Sequence, residues 1–219
     1  MNNRRFNLKY LFPLSLRDKY RPHWKKIQGG TICKTIKKIK WNLTKPKIPF
    51  VEGGSINLHL GCGEVNHPDF INIDLVPCPH VHYLRPIDDL SIFDDESVDL
   101  IYASHCLEHF PFREVPAVLA EWARVLKKGG LLRISVPDFD SIVNVYEASG
   151  KSLDKVLMAI VGGQEYEYNF HYVVFNKTYL INQLEHAGLS SICEWIPGTS
   201  HLATFEDYSI ENFTVGNRT

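Results

Sequence analysis

The sequence predicts an α/β protein with a mostly parallel β-sheet and a basic N-terminal extension. Short apolar runs alternate with segments of helical periodicity from residue 56 onward, which is typical of a parallel sheet with helices on its faces. The run SVDLIYAS (97–104) is mostly apolar, as expected of a strand buried on both faces. The chain has 219 residues, of which 44% are hydrophobic, so it can bury the core of one such domain.

Charge divides the chain into two parts. Residues 1–50 contain 14 lysines and arginines and a single acid, which gives +13, whereas residues 51–219 carry the other 10 basic residues and 24 acids, which gives −14. Prolines and a glycine pair in TKPKIPFVEGGS (44–55) mark the boundary. We therefore predict a basic extension over residues 1–52 and a folded domain over residues 53–219.

Within the extension, TICKTIKKIKWNL (31–43) predicts a short amphipathic helix, because its isoleucines recur at near-helical spacing and its lysines lie mostly elsewhere around the axis. Such a concentration of positive charge requires an anionic surface nearby. One candidate is the acidic remainder of the chain, where the isoleucines would cover a bare sheet face. An anionic membrane has similar weight, and nucleic acid, on which aromatic residues of the extension would stack, has less.

The five cysteines indicate a reducing compartment. They are scattered and form no CxxC pair, which disfavours a disulfide framework or a structural zinc site. No apolar run approaches the roughly 20 residues that span a bilayer, and the N-terminus lacks the apolar core of a secretory signal. We therefore expect a cytoplasmic protein, with the extension as the means of any peripheral contact at the inner face of the membrane.

The elements of the domain follow from hydrophobic periodicity and stop signals. The segment 112–128 carries a stripe of apolar residues and is expected to end as a helix at Gly129-Gly130, and 177–189 is a second helix with a glycine stop. Two weaker helical stretches lie between the fifth strand and that second helix. The predicted strands are INLHL (56–60), FINID (70–74), VHYL (81–84), SVDLIYAS (97–104), LLRISVP (131–137) and ICEWI (192–196).

A glycine turn joins the first two strands in LHLGCGEVNHPDFINIDL (58–75). Gly61 and Gly63 lack a Cβ, so a ligand can approach the backbone closely, and Asp74 can accept two hydrogen bonds from a ribose diol. A nicotinamide-dinucleotide site requires G-x-G-x-x-G and an acid about 20 residues further on. Asn66 takes the place of the third glycine and Asp74 comes too early, so the spacing indicates a different nucleotide-like ligand.

The connection between these two strands is unusually short. Only ten residues, Gly61 to Phe70, separate them, whereas a parallel crossover that contains a helix usually needs a dozen or more. We predict that residues 61–70 form an irregular loop and that the first crossover helix is absent or a single turn.

Five segments occur together and in order along the domain: HLGCG (59–63), INIDL (71–75), SVDLIYASHCLEHF (97–110), VLKKGGLLRISVPDFD (125–140) and GGQ…NFHYVVF…LINQLEHAGL (162–189). Over roughly residues 55–210 this set resembles the class I S-adenosylmethionine-dependent methyltransferases, and most of all a small group associated with cell-surface polysaccharide synthesis. The resemblance implies a Rossmann-like, doubly wound, mostly parallel seven-stranded sheet and S-adenosyl-L-methionine as the cofactor.

The resemblance also implies a cofactor site at the carboxyl ends of the strands. The glycine turn would contact the methionine end, and the acid that ends the second strand would hold the ribose hydroxyls. The loop before the fourth strand would face adenine, and the residues just after that strand would lie near the transferred methyl group. In that order the residues are Gly61, Cys62 and Gly63; Asp74; Asp88, Asp89 and Leu90; and Ser104 and His105.

Methyl transfer from a sulfonium to a hydroxyl requires alignment of acceptor, methyl and sulfur, and removal of the acceptor's proton. Histidine suits the role of base near neutral pH, and His109 and His171 are the candidates. Asp138, after the fifth strand, is a candidate for acceptor binding or for the base. A purely structural hydrogen-bonding role competes for each of the three. Three further side chains would stack on a sugar or simply pack: Tyr166, Tyr168 and Tyr172.

The segment HCLEH (105–109) matches the H-x-x-E-H pattern of one class of zinc peptidase. Its strand-to-helix context belongs to a different fold, which disfavours a peptidase. A divalent ion held loosely by His105, Glu108 and His109 is favoured over a peptidase, but residues that line a pocket without a metal are favoured over both. We therefore assign no metal site from the sequence.

Other methyltransferase chemistries leave marks that this sequence lacks. No N/D-P-P-Y/F tetrad follows the fourth strand, and the cysteine that follows a proline, Cys78, lies after the second strand instead. Elimination and the resemblance together predict O-methylation, and the resemblance to the group associated with polysaccharide synthesis implies a sugar in a cell-surface glycan or its precursor as the acceptor. One alternative is methylation of RNA, with the basic extension in contact with phosphates. Another is a non-catalytic domain that binds the cofactor or a nucleotide beside a partner glycosyltransferase.

Overall fold

The computed structural model describes residues 39, 41–43, 46–49 and 54–196. Their centre is a five-stranded parallel sheet with the order β3-β2-β1-β4-β5, which confirms the predicted α/β class. Its strands are β1 Asn57–Leu60, β2 Ile71–Asp74, β3 Tyr83–Leu84, β4 Val98–Ser104 and β5 Leu126–Ser135. The helices are α1 Val115–Val125, α2 Phe139–Ala148, α3 Leu157–Val161 and α4 Lys177–His186, with 3-10 helices at Leu107–His109 and Leu153–Lys155.

The strand order reverses direction at β1. The chain moves outward from β1 to β2 and β3, and then returns to place β4 on the other side of β1. His59 of β1 therefore pairs with Asn72 of β2 on one side and with Tyr102 of β4 on the other. In open parallel sheets, ligands bind in the crevice outside the carboxyl ends of the strands at such a reversal. The glycine turn after β1 and the residues after β4 both lie at this crevice.

The main core lies on one face of the sheet, beneath α1 and α4. Leu58 and Leu60 of β1 point into it, and Leu184 contributes from α4. All three are almost completely buried, as expected of alternate strand residues that face a helical layer. The buried face of α1 is the one that its 3.6-residue periodicity predicts: Val115, Val118, Leu119, Trp122 and Val125.

An aromatic cluster covers the opposite face, in place of a crossover helix. Phe70 and Tyr102 are almost completely buried, with ring centroids 6.4 Å apart and planes at 73°. Trp195 packs edge-on against Tyr102 at 6.1 Å. Residues 61–70 contain turns but no helix, which confirms the predicted irregular loop. Since ten residues are too few for a crossover helix, side chains from this loop and from Trp195 shield the sheet instead.

The boundary between α1 and β5 differs from the prediction. The helix ends at Val125, three residues earlier than predicted, and β5 begins at once with Leu126. The amide of Ser97 donates to the Val125 carbonyl at 2.9 Å, which draws the chain into the sheet at this point. Lys127, expected at the helix end, donates instead to both carboxylate oxygens of Asp99 at 2.8 Å. Pairing with the neighbouring strand therefore overrides the local helical pattern.

The prediction of a strand over residues 192–196 is wrong. Trp195 packs into the aromatic cluster, and Lys177 of α4 forms an ion pair of 2.8 Å with Glu194. These side-chain contacts hold the segment across the sheet and α4, so its backbone does not pair with a strand. The described residues consequently form five strands, fewer than the predicted seven.

A small part of the predicted basic helix lies within the described residues. Ile39 and residues 41–43 are helical, and the rest of that helix lies outside the described residues. Trp41 Nε1 donates to the Val81 carbonyl oxygen at 2.6 Å, next to β3. Ile39 is 55% exposed. This isoleucine therefore does not cover a bare sheet face, as packing of the extension on the acidic remainder of the chain would require. Among all the residues that the structure describes, no helix is both long enough and apolar enough to cross a membrane.

Candidate active site

The glycine turn lies at the carboxyl end of β1, as the sequence predicts. Gly61 has a φ of +63°, which residues with a side chain rarely adopt, and its amide donates to the Ile73 carbonyl at 2.9 Å. A Cβ at Gly61 would lie only 3.0 Å from the Cβ of Cys106. The turn therefore packs tightly against the segment that follows β4.

Asp74 ends β2 and faces the glycine turn. Its Oδ2 accepts a hydrogen bond from the Gly63 amide at 2.8 Å, and its Oδ1 accepts one from the Val76 amide at 2.7 Å. Burial raises the pKa of the Asp74 carboxyl, although these two amides oppose the shift. Because each carboxylate oxygen has a second lone pair, Asp74 retains the capacity to accept hydrogen bonds from two ribose hydroxyls.

Cys62 points into the protein, and a neighbouring histidine closes the turn from outside. The Cys62 side chain is buried, and burial raises the pKa of its thiol, with the charge of Asp74 adding to the shift. The side chain is therefore a neutral packing group, and its backbone is the part available to a ligand. His80, which the sequence analysis did not single out, places Nε2 3.1 Å from the Gly63 carbonyl oxygen.

The loop before β4 presents two exposed acids and one buried anchor. Asp88 and Asp89 are exposed, and hydrogen bonds from Ser91 and Arg85 lower the pKa of the Asp89 carboxyl to about 2. Leu90 is completely buried in the main core. Its side chain therefore fixes the loop, and the two aspartates are the residues of this trio that can reach a ligand.

Helix α1 fastens this loop through three side chains to which the sequence analysis gave no site role. Trp122 Nε1 donates to the Ile87 carbonyl at 2.8 Å, and Glu121 Oε1 accepts from the Leu90 amide at 2.9 Å. Arg124 donates to both carboxylate oxygens of Glu121 at 2.8 Å. The spacing of an acid and an arginine three residues apart on a predicted helix is the sequence signal for this pair.

Ser104 and His105 lie where β4 ends. Ser104 Oγ is buried and has no hydrogen-bond partner among the described residues. A buried hydroxyl in that state costs about 1–3 kcal/mol, which indicates a partner supplied by a ligand. His105 has a φ of +52°, and such strained backbone at a non-glycine residue concentrates at functional sites. Its Nε2 lies 3.5 Å from Ser135 Oγ of β5.

A cluster of one glutamate and two histidines lies just beyond His105, and we call Glu108, His109 and His171 the Glu108 cluster. It forms where the loop 162–172 packs on the 3-10 helix Leu107–His109, with the Tyr172 amide donating to the Glu108 carbonyl at 2.9 Å. The rings of His109 and His171 lie 4.9 Å apart. The fold therefore brings together the two histidines that the sequence predicted as catalytic.

Glu108 is the buried centre of this cluster, with 1% of its surface exposed. His105 Nδ1 lies 3.2 Å from Oε1 as an ion pair, and Oε2 has no hydrogen-bond partner among the described residues. Burial raises the pKa of the Glu108 carboxyl, but the imidazoles of His105 and His109 outweigh burial, so the net shift is downward. The cluster thus contains a buried carboxylate surrounded by imidazoles.

Asp138 lies after β5, as predicted, but its carboxylate serves a helix. Oδ2 accepts from the Ser141 amide at 3.0 Å and from Ser141 Oγ at 2.7 Å, which caps the N-terminus of α2. The three candidate tyrosines, in contrast, are about half exposed and lie in the loop that carries His171: Tyr166, Tyr168 and Tyr172.

The crevice at the strand-order reversal fits an S-adenosyl nucleotide. The turn at Gly61 offers backbone without side chains, Asp74 offers a carboxylate with unused lone pairs, and Ser104 offers a buried hydroxyl without a partner. These groups come from β1, β2 and β4, which are adjacent in the sheet. They can therefore act together on one extended ligand.

Residues 72–134 match the model of a family described as a methyltransferase domain. The matched segment runs from β2 through the anchored loop, β4 and α1 into β5. The chain is an S-adenosylmethionine-dependent methyltransferase. A comparison of this methyltransferase with curated proteins gives no match.

Several solved structures resemble the methyltransferase at low sequence identity. A SAM-dependent methyltransferase from Archaeoglobus fulgidus is 16% identical, with a TM-score of 0.46, over 83% of this chain and 79% of that one. A possible histamine N-methyltransferase from Thermotoga maritima is 15% identical, with a TM-score of 0.44, over 80% and 78%. The 1,6-didemethyltoxoflavin-N1-methyltransferase of Burkholderia thailandensis is 16% identical, with a TM-score of 0.44, over 84% of each chain. These similarities carry no information about the substrate of this chain.

Proposed function

We propose that this methyltransferase O-methylates a sugar of a cell-surface glycan or of its precursor. The observation that supports a sugar is the composition of the loop 162–172, which forms one wall of the Glu108 cluster. Tyr166, Tyr168 and Tyr172 of this loop are 51%, 45% and 56% exposed. Exposed aromatic faces next to groups that can take a proton are suited to stacking on a sugar ring and receiving the proton of its hydroxyl.

In this proposal each part of the crevice holds one part of the cofactor, which when bound supplies a methyl group on a positively charged sulfur. The backbone of Gly61 and Gly63 faces the methionine end, and Asp74 accepts from the ribose hydroxyls. The loop anchored by α1 borders the adenine, with Asp88 and Asp89 as its exposed side chains. Ser104 and His105 then lie at the side of the sheet from which the acceptor approaches.

The acceptor hydroxyl loses its proton as the new carbon–oxygen bond forms. His109 Nδ1 and His171 Nδ1 each lie 3.0 Å from a backbone carbonyl oxygen, of Phe170 and Ala159 respectively. A carbonyl can only accept, so these ring nitrogens carry the proton and Nε2 of each ring is left with a lone pair. Burial lowers the pKa of His171, which keeps the ring neutral and able to accept near pH 7. Asp138 is less suited to the role of base because its Oδ2 caps α2.

We also infer that the extension, residues 1–52, brings the enzyme to an anionic membrane surface. Ile39 and Leu43 are 55% and 81% exposed, and lysines accompany them in the segment 31–43. An exposed apolar stripe with basic neighbours favours contact with anionic lipid, at about 1 kcal/mol per basic residue near the surface. The hydrogen bond from Trp41 to Val81 keeps this segment next to the domain.

Labelled methyl transfer tests the acceptor class. The full chain is incubated with methyl-labelled S-adenosylmethionine and cell extract that is afterwards separated into glycan, lipid, protein and RNA. We expect label in the glycan fraction, and we expect Tyr168→Ala and Tyr172→Ala to reduce that label several-fold while calorimetric affinity for the cofactor is unchanged. Label confined to RNA, with binding that weakens steeply as salt rises, would replace the sugar by a nucleic acid.

Two further outcomes decide against catalysis or against the cofactor. Cofactor binding without methyl transfer to any fraction would identify a non-catalytic partner domain. Calorimetry is expected to show micromolar binding of S-adenosylmethionine and of its demethylated product, and tighter binding of NAD than of either would overturn the assignment of the crevice.

A further inference from the structure

We propose that Glu108, His109 and His171 bind a divalent transition-metal ion. From the sequence, residues that line a pocket without a metal are favoured for the H-x-x-E-H segment, and nothing in the sequence places His171 next to it. In the structure one potential ligand atom from each of the three residues lies within 4.8 Å of the others. The ligands therefore come from two separate parts of the chain, the 3-10 helix Leu107–His109 and the loop 162–172.

Glu108 is the first argument for an ion. Its carboxylate is 1% exposed, Oε1 is paired with His105 Nδ1 at 3.2 Å, and Oε2 has no hydrogen-bond partner among the described residues. Burial of a charged group is costly unless the charge is paired or coordinates a metal. His171 Nε2 faces Glu108 Oε1 at 4.0 Å, which is too far for a hydrogen bond and leaves space between the two atoms. A cation at this position would give the carboxylate a second partner besides His105.

The orientation of the two histidines is the second argument. His109 Nδ1 lies 3.0 Å from the Phe170 carbonyl oxygen, and His171 Nδ1 lies 3.0 Å from the Ala159 carbonyl oxygen. Histidines that bind metals commonly donate the other ring N–H to a backbone carbonyl, which fixes the tautomer and the direction of the ring. Both rings are therefore held with the Nε2 lone pair available, the state that a metal ligand requires.

The size of the cluster is the third argument. Three atoms that lie no more than 4.8 Å apart fit within about 2.8 Å of a common point, and a zinc–nitrogen bond is about 2.1 Å long. Small side-chain rotations would bring all three atoms to bonding distance. His105 Nδ1, 3.2 Å from Glu108 Oε1, is placed to help hold the carboxylate in position.

The ligand set indicates the class of ion. Two imidazoles and one carboxylate suit Zn²⁺, Mn²⁺, Fe²⁺ or Co²⁺, whereas Mg²⁺ and Ca²⁺ prefer oxygen ligands alone. Three protein ligands leave at least one coordination position open. The next step rests on the proposed function: the open position would take the acceptor hydroxyl, and the ion would lower the pKa of that hydroxyl. With the ion bound, the Nε2 lone pairs of His109 and His171 would be used by the metal, so the hydroxyl proton would pass to water and not to a histidine. The oxygen would take the methyl group, and the sulfur would keep the electron pair of the broken carbon–sulfur bond.

Metal titration of the full chain tests the site without any acceptor. The protein, free of any histidine tag, is stripped with a chelator and titrated with Co²⁺ and with Zn²⁺, with the visible Co²⁺ spectrum and calorimetry as readouts. We expect one ion per chain, and Glu108→Gln and His171→Gln should each weaken binding at least about tenfold. The matched control is His186→Gln, an exposed histidine of α4 that should leave binding unchanged. Absence of binding, or equal binding by the two cluster variants, would overturn the proposal.

A measurement on the native chain guards against variants that fail to fold. Co²⁺ or Mn²⁺ broadens the nuclear magnetic resonance signals of nearby ring protons, so the signals of His109 and His171 should broaden before that of His186. Broadening at other histidines first would place the ion elsewhere and overturn the site. Because neither experiment involves methyl transfer, a failure of the sugar proposal would leave the metal result unaffected, and the reverse also holds.

Discussion

Asp74 carries both structure and chemistry at the scale of a single residue. Its two oxygens accept from the amides of Gly63 and Val76, so the carboxylate holds the turn in place before any ligand arrives. Burial raises the pKa of this carboxyl, and the two amides offset part of that shift.

We predict that Asp74→Asn weakens binding of S-adenosylmethionine by roughly 10- to 100-fold. Loss of hydrogen bonds to a charged acceptor costs about 1.5–3 kcal/mol, and the amide NH₂ of asparagine would also face one of the two backbone N–H donors. Calorimetry on native and variant chains measures the change. Asp154→Asn, at an exposed position, is the control and should bind as the native chain does. Unchanged affinity in Asp74→Asn would remove Asp74 from the site.

At the scale of elements, the Glu108 cluster depends on how closely the loop 162–172 folds back on itself. Gly162 has a φ of +79°, and a Cβ there would lie 2.5 Å from the Asn169 carbonyl oxygen. The His171 amide donates to the Val161 carbonyl at 3.1 Å within the same turn. The position of His171 is therefore set by a backbone contact that only glycine permits.

We predict that Gly162→Ala lowers the free energy of unfolding by about 2–4 kcal/mol. About 1–2 kcal/mol of this comes from the positive φ, and the remainder comes from the clash with the backbone. Gly150→Ala is the matched control, because Gly150 has a φ of +74° but open space where a Cβ would lie. Urea unfolding should show the smaller loss for the control, and equal losses in both variants would contradict the contact.

A second element-scale device is the attachment of the loop before β4 to α1. Hydrogen bonds from Arg124 lower the pKa of the Glu121 carboxyl below its ordinary value of 4.5. A carboxyl whose pKa is lowered by folding contributes stability above its unfolded pKa, and that contribution is lost as the pH falls through the folded pKa. The attachment should therefore weaken only in acid.

We predict that Glu121→Gln costs about 1 kcal/mol of stability at pH 7 and that this difference from the native chain is lost as the pH falls through the lowered pKa of the Glu121 carboxyl. Glutamine keeps the oxygen that accepts from the Leu90 amide, so the variant isolates the charge. Thermal unfolding across a pH series measures the difference. Glu147→Gln, at an exposed position of α2, is expected to show no comparable gap, and a gap that persists undiminished in acid would contradict the argument.

At the scale of the whole molecule, the basic extension and the acidic domain are chemically separate but touch in the described residues, where the backbone of Lys47 hydrogen-bonds His82 and Trp41 bonds the edge of the sheet. Trp41 Nε1 donates to the Val81 carbonyl beside β3, at the sheet edge remote from β4. The crevice residues Gly61, Asp74 and Ser104 make none of their described hydrogen bonds to the extension. The extension therefore serves location or substrate capture in our proposal, and not cofactor binding.

We predict that a chain beginning at Gly53 folds and binds S-adenosylmethionine as the full chain does, with a loss of about 1 kcal/mol of stability from the missing Trp41 hydrogen bond. Sedimentation with anionic vesicles at low salt should be seen for the full chain and lost on truncation. Insolubility or loss of cofactor binding in the shorter chain would instead mean that the extension packs on the domain as part of its fold. If neither chain sediments, the membrane proposal is wrong.

Much of the fold could be predicted because its signals are local. Short apolar runs place β1, β2 and β4, the 3.6-residue period places α1, and the ten-residue connection after β1 excludes a crossover helix. The end of α1 and the segment 192–196 could not be predicted, since their fate depends on partners distant in sequence. Ser97 draws Val125 into the sheet, and Trp195 is held by the aromatic cluster. Local propensity is a weak term, and contacts of this kind override it.

The sequence by itself determined the α/β class and the glycine turn with its acid, and its resemblance to the class I methyltransferases implied the cofactor. The class follows from local periodicity along the domain, and the turn with its acid depends on spacing within one short stretch, where covalent connection already brings the groups together. Only the tertiary structure decided that Leu90 is an anchor, that Asp138 caps a helix, and that His171 lies beside Glu108. More than sixty residues separate Glu108 from His171, and no periodicity links them. Their meeting follows from the packing of the loop 162–172 on the 3-10 helix after β4, which only the folded chain can define.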